Sequence, residues 1–237
     1  FKSVGESMRQ PLKYYANNLG STSTLMAAML EAGVPHLVFS SSCTVYGQAE
    51  SPVTEESPIQ APASVYGRTK QICEAMIEDT VAAQRDLKAA CLRYFNPIGA
   101  HPSALIGELP IGTPDNLVPY ITQTAAGLRD HLTVFGDDYD TADGSCVRDY
   151  IHVVDLAQAH VKAMDWLVRQ EPARLLEFFN LGTGHGTSVL EAVSAFEAAS
   201  GETLKTVIGP RREGDVVEIY ADATKAEKVL GWKAKLG

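Results

Sequence analysis

The sequence predicts an α/β protein built on a Rossmann-like parallel sheet. Two short apolar runs, HLVFSSS (36–42) and LKAACLRYF (87–95), are typical of buried strands, and a helical pattern separates them. Strand, helix and strand in this order form a right-handed βαβ unit. In such a unit the functional residues gather at the carboxyl ends of the parallel strands.

The elements alternate regularly up to Asn96 and more loosely beyond it. Apolar residues recur at helical spacing from about Pro11 to Ala32, and Gly33 ends this pattern as a C-terminal stop does. The other predicted elements are, in chain order, strand 36–42, helix 64–83, strand 87–95, helix 117–129, strand 132–136, helix 154–168, strand 177–182, helix 188–199 and strand 206–209.

The composition excludes several classes of protein. Of the 237 residues, 45% are apolar and 21% charged, the formal net charge is −9, and no Lys/Arg-rich run occurs. Nucleic acid or an anionic membrane is therefore not expected as a partner. Apolar runs stay below the ~18 residues that span a bilayer. Cys43, Cys73, Cys91 and Cys146 form no metal-binding spacing, which predicts no metal and reduced thiols in the cytoplasm.

Tyr66 and Lys70 are four residues apart in the second predicted helix, so they share one helix face. A free phenol has a pKa near ~10, and a nearby ammonium group favours the phenolate, which makes the pair a candidate proton acceptor. The strand that ends in Ser42 brings a further hydroxyl to this point. Each feature alone has an ordinary alternative, namely a chance YxxxK spacing and a polar strand end that caps its own loop.

Longer motifs add a resemblance to a known family. Serine, tyrosine and lysine in this order resemble the short-chain dehydrogenase/reductase superfamily, and the longer strings resemble its extended branch, specifically the UDP-glucose 4-epimerase family. The resemblance runs nearly end to end. The strings are SSSCTVYG, YGRTK, LRYFNPIGAHPS, DNLVPY, VFGDDYDTADGSCVRDYIHVVDLAQAH and RREGD.

The residues beside the serine separate this family from its relatives. The 4,6-dehydratases of the branch carry Thr-Asp-Glu and the UDP-glucuronate decarboxylases Thr-Ser-Glu, whereas this chain has Ser42-Cys43-Thr44. The resemblance implies that Tyr66, assisted by Ser42, takes the proton of the sugar 4-hydroxyl while C4 gives a hydride to bound NAD. The 4-keto sugar then turns and takes the hydride back on its other face, which interconverts UDP-glucose and UDP-galactose in galactose metabolism.

The resemblance also assigns binding residues. It implies that Lys70 lowers the pKa of Tyr66 and binds the nicotinamide ribose, and that Lys2, Asn17 and Tyr94 contact NAD. His101 and His152 receive no catalytic role, because a structural histidine bonded to backbone is the commoner case. The residues assigned to the UDP-sugar are Ser42, Asn96, Asn116, Leu117, Phe135, Arg148, Arg212, Asp215 and Ile219.

Taken singly, these binding residues also have ordinary structural explanations. Phe135 alone would be a core residue, Asn116 a helix N-cap, and Arg212 with Asp215 a solvated surface pair. Ile219 matches the position where the family adjusts the room for an N-acetyl group. Its intermediate size favours UDP-glucose and UDP-galactose only, with UDP-GlcNAc as the alternative substrate.

The expected N-terminal cofactor motif is not in the sequence. The family begins with a strand, a glycine-rich turn and a helix that receives the NAD pyrophosphate, whereas GTGHG (182–186) comes too late to be that turn. We expect about 80 residues to be missing upstream, roughly three βα units. On this reading 1–96 is the C-terminal portion of an NAD-binding Rossmann domain, and 97–237 is mainly a UDP-sugar-binding region with segments that return to the sheet.

Two further expectations follow from that reading. The chain alone should bind NAD weakly or not at all, and a non-catalytic remnant that binds nucleotide sugars is the competing hypothesis. The full-length protein should form a homodimer through a four-helix bundle. The predicted helices 11–32 and 64–84 are the candidates for that bundle, although a missing segment could equally cover their apolar faces.

Overall fold

The computed structural model describes residues 1–171, 174–212 and 214–236. The helices are α1 (Val4–Arg9), α2 (Pro11–Tyr14), α3 (Gly20–Glu31), α4 (Val65–Ala83), α5 (Leu117–Ala125), α6 (Val153–Val168) and α7 (Val189–Ser200). The strands are β1 (His36–Ser40), β2 (Lys88–Tyr94), β3 (Asn96–Ile98), β4 (Leu132–Phe135), β5 (Val147–Arg148), β6 (Tyr150–His152), β7 (Leu175–Leu181), β8 (Thr187–Ser188), β9 (Thr206–Gly209) and β10 (Glu218–Ile219).

The central sheet is parallel and has the order β1-β2-β7. His36 of β1 lies opposite Lys88 of β2, and Lys88 in turn lies opposite Leu175 of β7. The middle strand is buried on both faces, which is why its sequence is a nearly continuous apolar run rather than an alternating one. The predicted Rossmann-like α/β fold is confirmed.

Helices cover both faces of this sheet. Ala90 and Leu92 of β2 pack into a core with α6, whereas Ala89 and Cys91 pack into a second core with α3 and α4. Successive residues of β2 therefore point to opposite layers, as a strand requires. The residues that α6 buries recur at helical spacing: Leu156, Ala159, Ala163 and Leu167.

Three small sheets lie beyond the central one and carry several of the predicted binding residues. β3 pairs with β6 and β4 pairs with β9, both in parallel, while β5 lies between β10 and the antiparallel β8. Asn96 therefore begins β3, Phe135 ends β4, and Arg148 lies opposite Ile219 in the third small sheet.

Two predicted helices differ from the structure. The helix expected over 11–32 is divided into α2, a π-helical turn (Tyr15–Leu19) and α3. The wider turn falls where the Asn18 amide donates a hydrogen bond to Thr69 Oγ1 of α4 at 3.0 Å. The helix expected over 117–129 ends at Ala125, because Gly127 takes a left-handed conformation with φ of 69°.

Within the described part of the chain, no helix is both long and apolar enough to cross a membrane.

Candidate active site

Tyr66 and Lys70 lie in the first turns of α4, at the carboxyl end of β1. Ser64 caps this helix by accepting a hydrogen bond from the Gly67 N–H at 3.1 Å. The N–H of Tyr66 donates to Oγ of the buried Ser7 on α1, also at 3.1 Å. A Cβ at Gly67 would lie 3.0 Å from the Thr44 carbonyl oxygen, so glycine lets the helix approach the strand end closely.

Ser42 lies where the chain leaves β1 and enters a short 3₁₀ turn (Cys43–Tyr46). Its Oγ accepts hydrogen bonds from Thr44 Oγ1 at 3.0 Å and from the Thr44 N–H at 3.3 Å. Burial raises the pKa of Tyr66 well above its usual range, Tyr94 adds to that effect, and the nearby Ser42 hydroxyl lowers it. The structure thus brings the predicted serine and tyrosine hydroxyls together.

The ammonium group of Lys70 lies at the carboxyl end of β1. Its Nζ donates to the Ser40 carbonyl oxygen at 2.7 Å and lies 5.9 Å from the ring centroid of Tyr66. Burial lowers the pKa of Lys70. The resemblance implied that Lys70 lowers the pKa of Tyr66. In the structure the net shift of this pKa is upward, because burial disfavours the phenolate and the Lys70 ammonium is bonded to the Ser40 carbonyl.

Of the residues predicted to contact NAD, Tyr94 lies at this site, whereas Lys2 and Asn17 are exposed and contact other residues. Burial raises the pKa of the Tyr94 phenol and the Ser40 hydroxyl lowers it, and the ring centroid of Tyr94 is 6.2 Å from that of His160. The Lys2 side chain is 73% exposed, and its Nζ lies 3.5 Å from Glu108 Oε1. Asn17 is exposed and donates to Asn18 Oδ1 at 3.0 Å.

A second cluster brings together Phe135, Arg148, Arg212 and Asp215. Asp215 accepts hydrogen bonds from Nη2 and Nε of Arg212 at 2.7 and 3.2 Å, and Arg148 Nη2 lies 3.5 Å from it. The Arg212 guanidinium is 5.7 Å from the ring centroid of Phe135, which is 43% exposed. Two guanidinium groups around one carboxylate leave a net positive charge, which suits a phosphate ligand.

A third group lines a small cavity of about 30 Å³, formed by Asn96, Asn116 and Leu117 with Tyr150. Asn116 precedes α5, yet its side chain does not cap that helix. Its Nδ2 instead donates to Glu108 Oε1 at 2.9 Å, the same carboxylate that Lys2 approaches.

Ile219 connects the second cluster to the serine. It is buried, and it packs in one core with Cys43 and Phe95, the residues that follow Ser42 and Tyr94. Because Ile219 also lies opposite Arg148 in the strand pair β5–β10, its side chain lies between the arginine cluster and the strand end that carries Ser42.

Each of the two histidines accepts a hydrogen bond from a backbone N–H. His152 Nδ1 accepts a hydrogen bond from the N–H of Val154 at 3.1 Å, and a Cβ at Gly99 would lie 2.5 Å from the His152 ring. The histidine is therefore a packed structural residue. His101 is exposed and accepts from the Ser103 N–H at 3.2 Å.

Several supporting residues were not identified from the sequence. Asp149 is fully buried and accepts hydrogen bonds from Thr183 N and Oγ1, both at 2.8 Å, and from Gly184 N and Ala221 N, both at 3.2 Å. It thereby ties three loops together beside Arg148. Ser7 lies far from Tyr66 in the sequence, and no motif marks it.

In the described residues, no group of three or more His, Cys, Asp or Glu side chains could hold a metal ion. The site consists of hydroxyl, phenol, ammonium, guanidinium, carboxylate and amide groups. Such a set can move a proton and bind anions.

Comparison with known proteins gives a consistent result. The profile of the NAD dependent epimerase/dehydratase family matches residues 2–182, and the chain belongs to this family. UDP-glucose 4-epimerase 2 of Arabidopsis thaliana is 54% identical over 237 residues, which are 100% of this chain and 67% of the plant protein.

Solved structures agree with this result. A crystal structure of UDP-glucose-4-epimerase from Stenotrophomonas maltophila, with bound NAD and formylated UDP-arabinopyranose, matches with a TM-score of 0.95 and 52% identity, covering 100% of this chain and 70% of that one. The enzyme from Bifidobacterium longum, in complex with NAD+ and UDP, gives the same TM-score and coverages at 49% identity.

Proposed function

We propose that the protein containing this chain carries out the NAD-dependent interconversion of UDP-glucose and UDP-galactose by transient oxidation at C4 of the sugar. One observation carries the proposal: Ser42, Tyr66 and Lys70 meet at the end of β1, and Ile219, which lies opposite Arg148 of the arginine cluster, packs in one core with Cys43 next to Ser42. Family membership and the relatives described above support it.

In this proposal Tyr66 is the proton acceptor and donor. Its phenol takes the proton of the sugar 4-hydroxyl and later returns it, while Ser42 hydrogen-bonds the same sugar oxygen. Since burial raises the pKa of Tyr66, ionisation depends on positive charge nearby. Lys70 supplies part of that charge from one turn along the helix.

The arginine cluster fits the nucleotide part of the substrate. A diphosphate favours guanidinium forks, and Arg148 and Arg212 present two around Asp215. Phe135 offers an exposed ring against which a uracil base can stack. Asn96, Asn116 and Leu117 would then complete the UDP-sugar site from the cavity beside β3.

The residues around Tyr66 suit a dinucleotide cofactor. Lys70 Nζ has three N–H donors and gives one to the Ser40 carbonyl, so donors remain for ribose hydroxyls. When bound there, NAD would accept the C4 hydride and return it. Tyr94, Lys2 and Asn17 are the further contacts that we assign. In this division 1–96 forms part of the cofactor domain and 97–237 mainly the substrate region.

Ile219 favours the glucose and galactose forms over UDP-GlcNAc. Its side chain is buried against Cys43 and Phe95, so an N-acetyl group would have to displace packed apolar atoms.

We further propose a homodimer formed through α3 and α4. Leu25 of α3 is 51% exposed, and burying apolar surface of this kind is a usual basis of dimerisation. The four cysteines are free and buried, which suits a reducing compartment such as the cytoplasm.

The test is a coupled assay for UDP-glucose formed from UDP-galactose, with NAD supplied. It should use the complete product of the reading frame that contains this chain, and the 237-residue chain in parallel. We expect the complete product to epimerise the sugar without net reduction of NAD, and the 237-residue chain alone to show little or no activity. A complete product that binds UDP-galactose but does not convert it would support the non-catalytic alternative and overturn the proposal.

A further inference from the structure

Arg93 and Glu74 form a buried ion pair close to Ser42, Tyr66 and Lys70. Arg93 of β2 donates from Nε to Glu74 Oε1 at 2.9 Å and from Nη2 to Glu74 Oε2 at 2.7 Å. The two side chains are 6% and 8% exposed. Replacing a buried ion pair by apolar residues is often neutral or stabilising, so stability alone does not explain this pair.

Glu74 links α4, which carries Tyr66 and Lys70, to the end of β1, which leads into Ser42. It follows Lys70 by one turn of α4 and Tyr66 by two, so the three residues share one face of the helix. Ser41, directly before Ser42, donates from Oγ to Glu74 Oε1 at 2.6 Å. A single carboxylate therefore fixes the distance between the strand end that carries Ser42 and the helix that carries Tyr66.

Arg93 anchors the far end of the 3₁₀ turn (Cys43–Tyr46) that follows Ser42. Its Nη1 donates to the Tyr46 hydroxyl at 3.1 Å, and that hydroxyl donates to Asn180 Oδ1 at 2.7 Å. Tyr46 closes the 3₁₀ turn that begins just after Ser42. The turn is thus anchored to the ion pair at both ends, through Ser41 at its start and Tyr46 at its end.

The network continues to β7 through a buried amide. The Asn180 Nδ2 donates to the Val53 carbonyl oxygen at 2.9 Å, and the Asn180 N–H donates to Glu55 Oε1 at 2.7 Å. A buried network whose members are all hydrogen-bonded makes its surroundings rigid. This one links the ends of β1, β2 and β7 to α4 at the point where the reaction is proposed to occur.

We propose that Glu74 and Arg93 are positioning residues for the epimerisation: they set the Ser42 hydroxyl against the Tyr66 phenol without touching the substrate. The inference rests on the proposed function. A displacement of about 1 Å at a reacting group can cost about a hundredfold in rate. Because Phe135, Arg148 and Arg212 lie on other elements, the network should affect kcat far more than KM.

Two mild variants of the complete protein test this, since each removes one hydroxyl and leaves the ion pair intact. In Ser41→Ala and in Tyr46→Phe we expect kcat to fall at least about tenfold, while KM for UDP-galactose stays within about twofold. The control is Ser145→Ala, which removes another buried serine hydroxyl bonded to a carboxylate, Asp143 at 2.8 Å. Its kcat should equal that of the parent.

Glu74→Gln gives an independent check through additivity. Its loss of kcat should exceed that of Ser41→Ala, and the double variant Ser41→Ala/Glu74→Gln should be no slower than Glu74→Gln alone, because both changes break the same link. Should Glu74→Gln not fold, the two hydroxyl variants decide the matter. Parental kcat in both of them, even with a lowered Tm, overturns the inference. An inactive parent protein overturns the proposed function instead.

Discussion

Replacing Lys70 by methionine should raise the pKa of Tyr66 and slow the reaction. Lys70 Nζ lies 5.9 Å from the centroid of the Tyr66 ring. A phenolate carries most of its charge on oxygen and delocalises the rest into this ring, so 5.9 Å serves as the scale of the charge separation. Two unit charges at 5.9 Å interact by about 2.8 kcal/mol at an effective dielectric constant of about 20. That energy corresponds to about two pKa units.

The sign follows from the proposed role of the phenolate as the base. Losing the ammonium charge disfavours the phenolate, so the acid limb of the kcat/KM profile should move up by about two pH units. At a pH on that limb, kcat/KM should fall about a hundredfold. The assay is conversion of UDP-galactose by the complete protein between pH 5 and about 10, with NAD in excess.

Lys88→Met is the matched control for this experiment. Lys88 Nζ also donates to a backbone carbonyl, that of Gln170 at 2.6 Å, but it lies at the opposite end of β2. We expect a pH profile like that of the parent. An acid limb in Lys70→Met that coincides with the parent's would refute the electrostatic reasoning, whatever the change in the maximal rate.

Three further results are expected. Arg212→Met should raise KM for UDP-galactose about tenfold or more with little change in kcat, measured by initial rates. The guanidinium would bind the diphosphate equally in the bound substrate and in the transition state, so its loss weakens binding without slowing the chemical step. Ile219→Ala should increase kcat/KM for UDP-GlcNAc relative to UDP-galactose, measured in a competition assay. Burial raises the pKa of Tyr46 and of Tyr150 to about 12, so both should stay neutral in the folded protein at pH 10 to 11. Stability should therefore be lost as pH rises above about 10, and absorbance at 295 nm should show these tyrosinates only on unfolding.

The central sheet could be predicted because its strands are buried on both faces. The segment Ala89–Leu92 has no polar residue, since α6 covers one side of β2 and α3 with α4 the other. The interruption of the helix over 11–32 could not be predicted. It lies where Asn18 contacts Thr69, which is 51 residues away in the sequence.

The candidate site was predictable where local spacing determines it. Tyr66 and Lys70 share a helix face by sequence distance alone, and parallel topology brings Ser42 to them. The bond from Lys70 to the Ser40 carbonyl and the raised pKa of Tyr66 depend on burial, which spacing does not show. A partly visible signal was missed: Glu74 continues the helix face of Tyr66 and Lys70.

Its partner Arg93 was not predictable in the same way. The pair is separated by 19 residues and forms only because of how α4 docks on β2. Ser7 is a similar case, since it reaches the backbone of Tyr66 from 59 residues away. Contacts between elements depend on packing geometry, which hydrophobic periodicity does not contain.

Proton transfer by Tyr66 is the central claim, and Tyr66→Phe tests it most directly because it removes one oxygen and keeps the ring. In the complete protein we expect kcat for UDP-galactose to fall by about 10²–10⁴-fold, with binding of UDP within about twofold of the parent by calorimetry. Turnover at the parental rate with phenylalanine at this position would contradict the account.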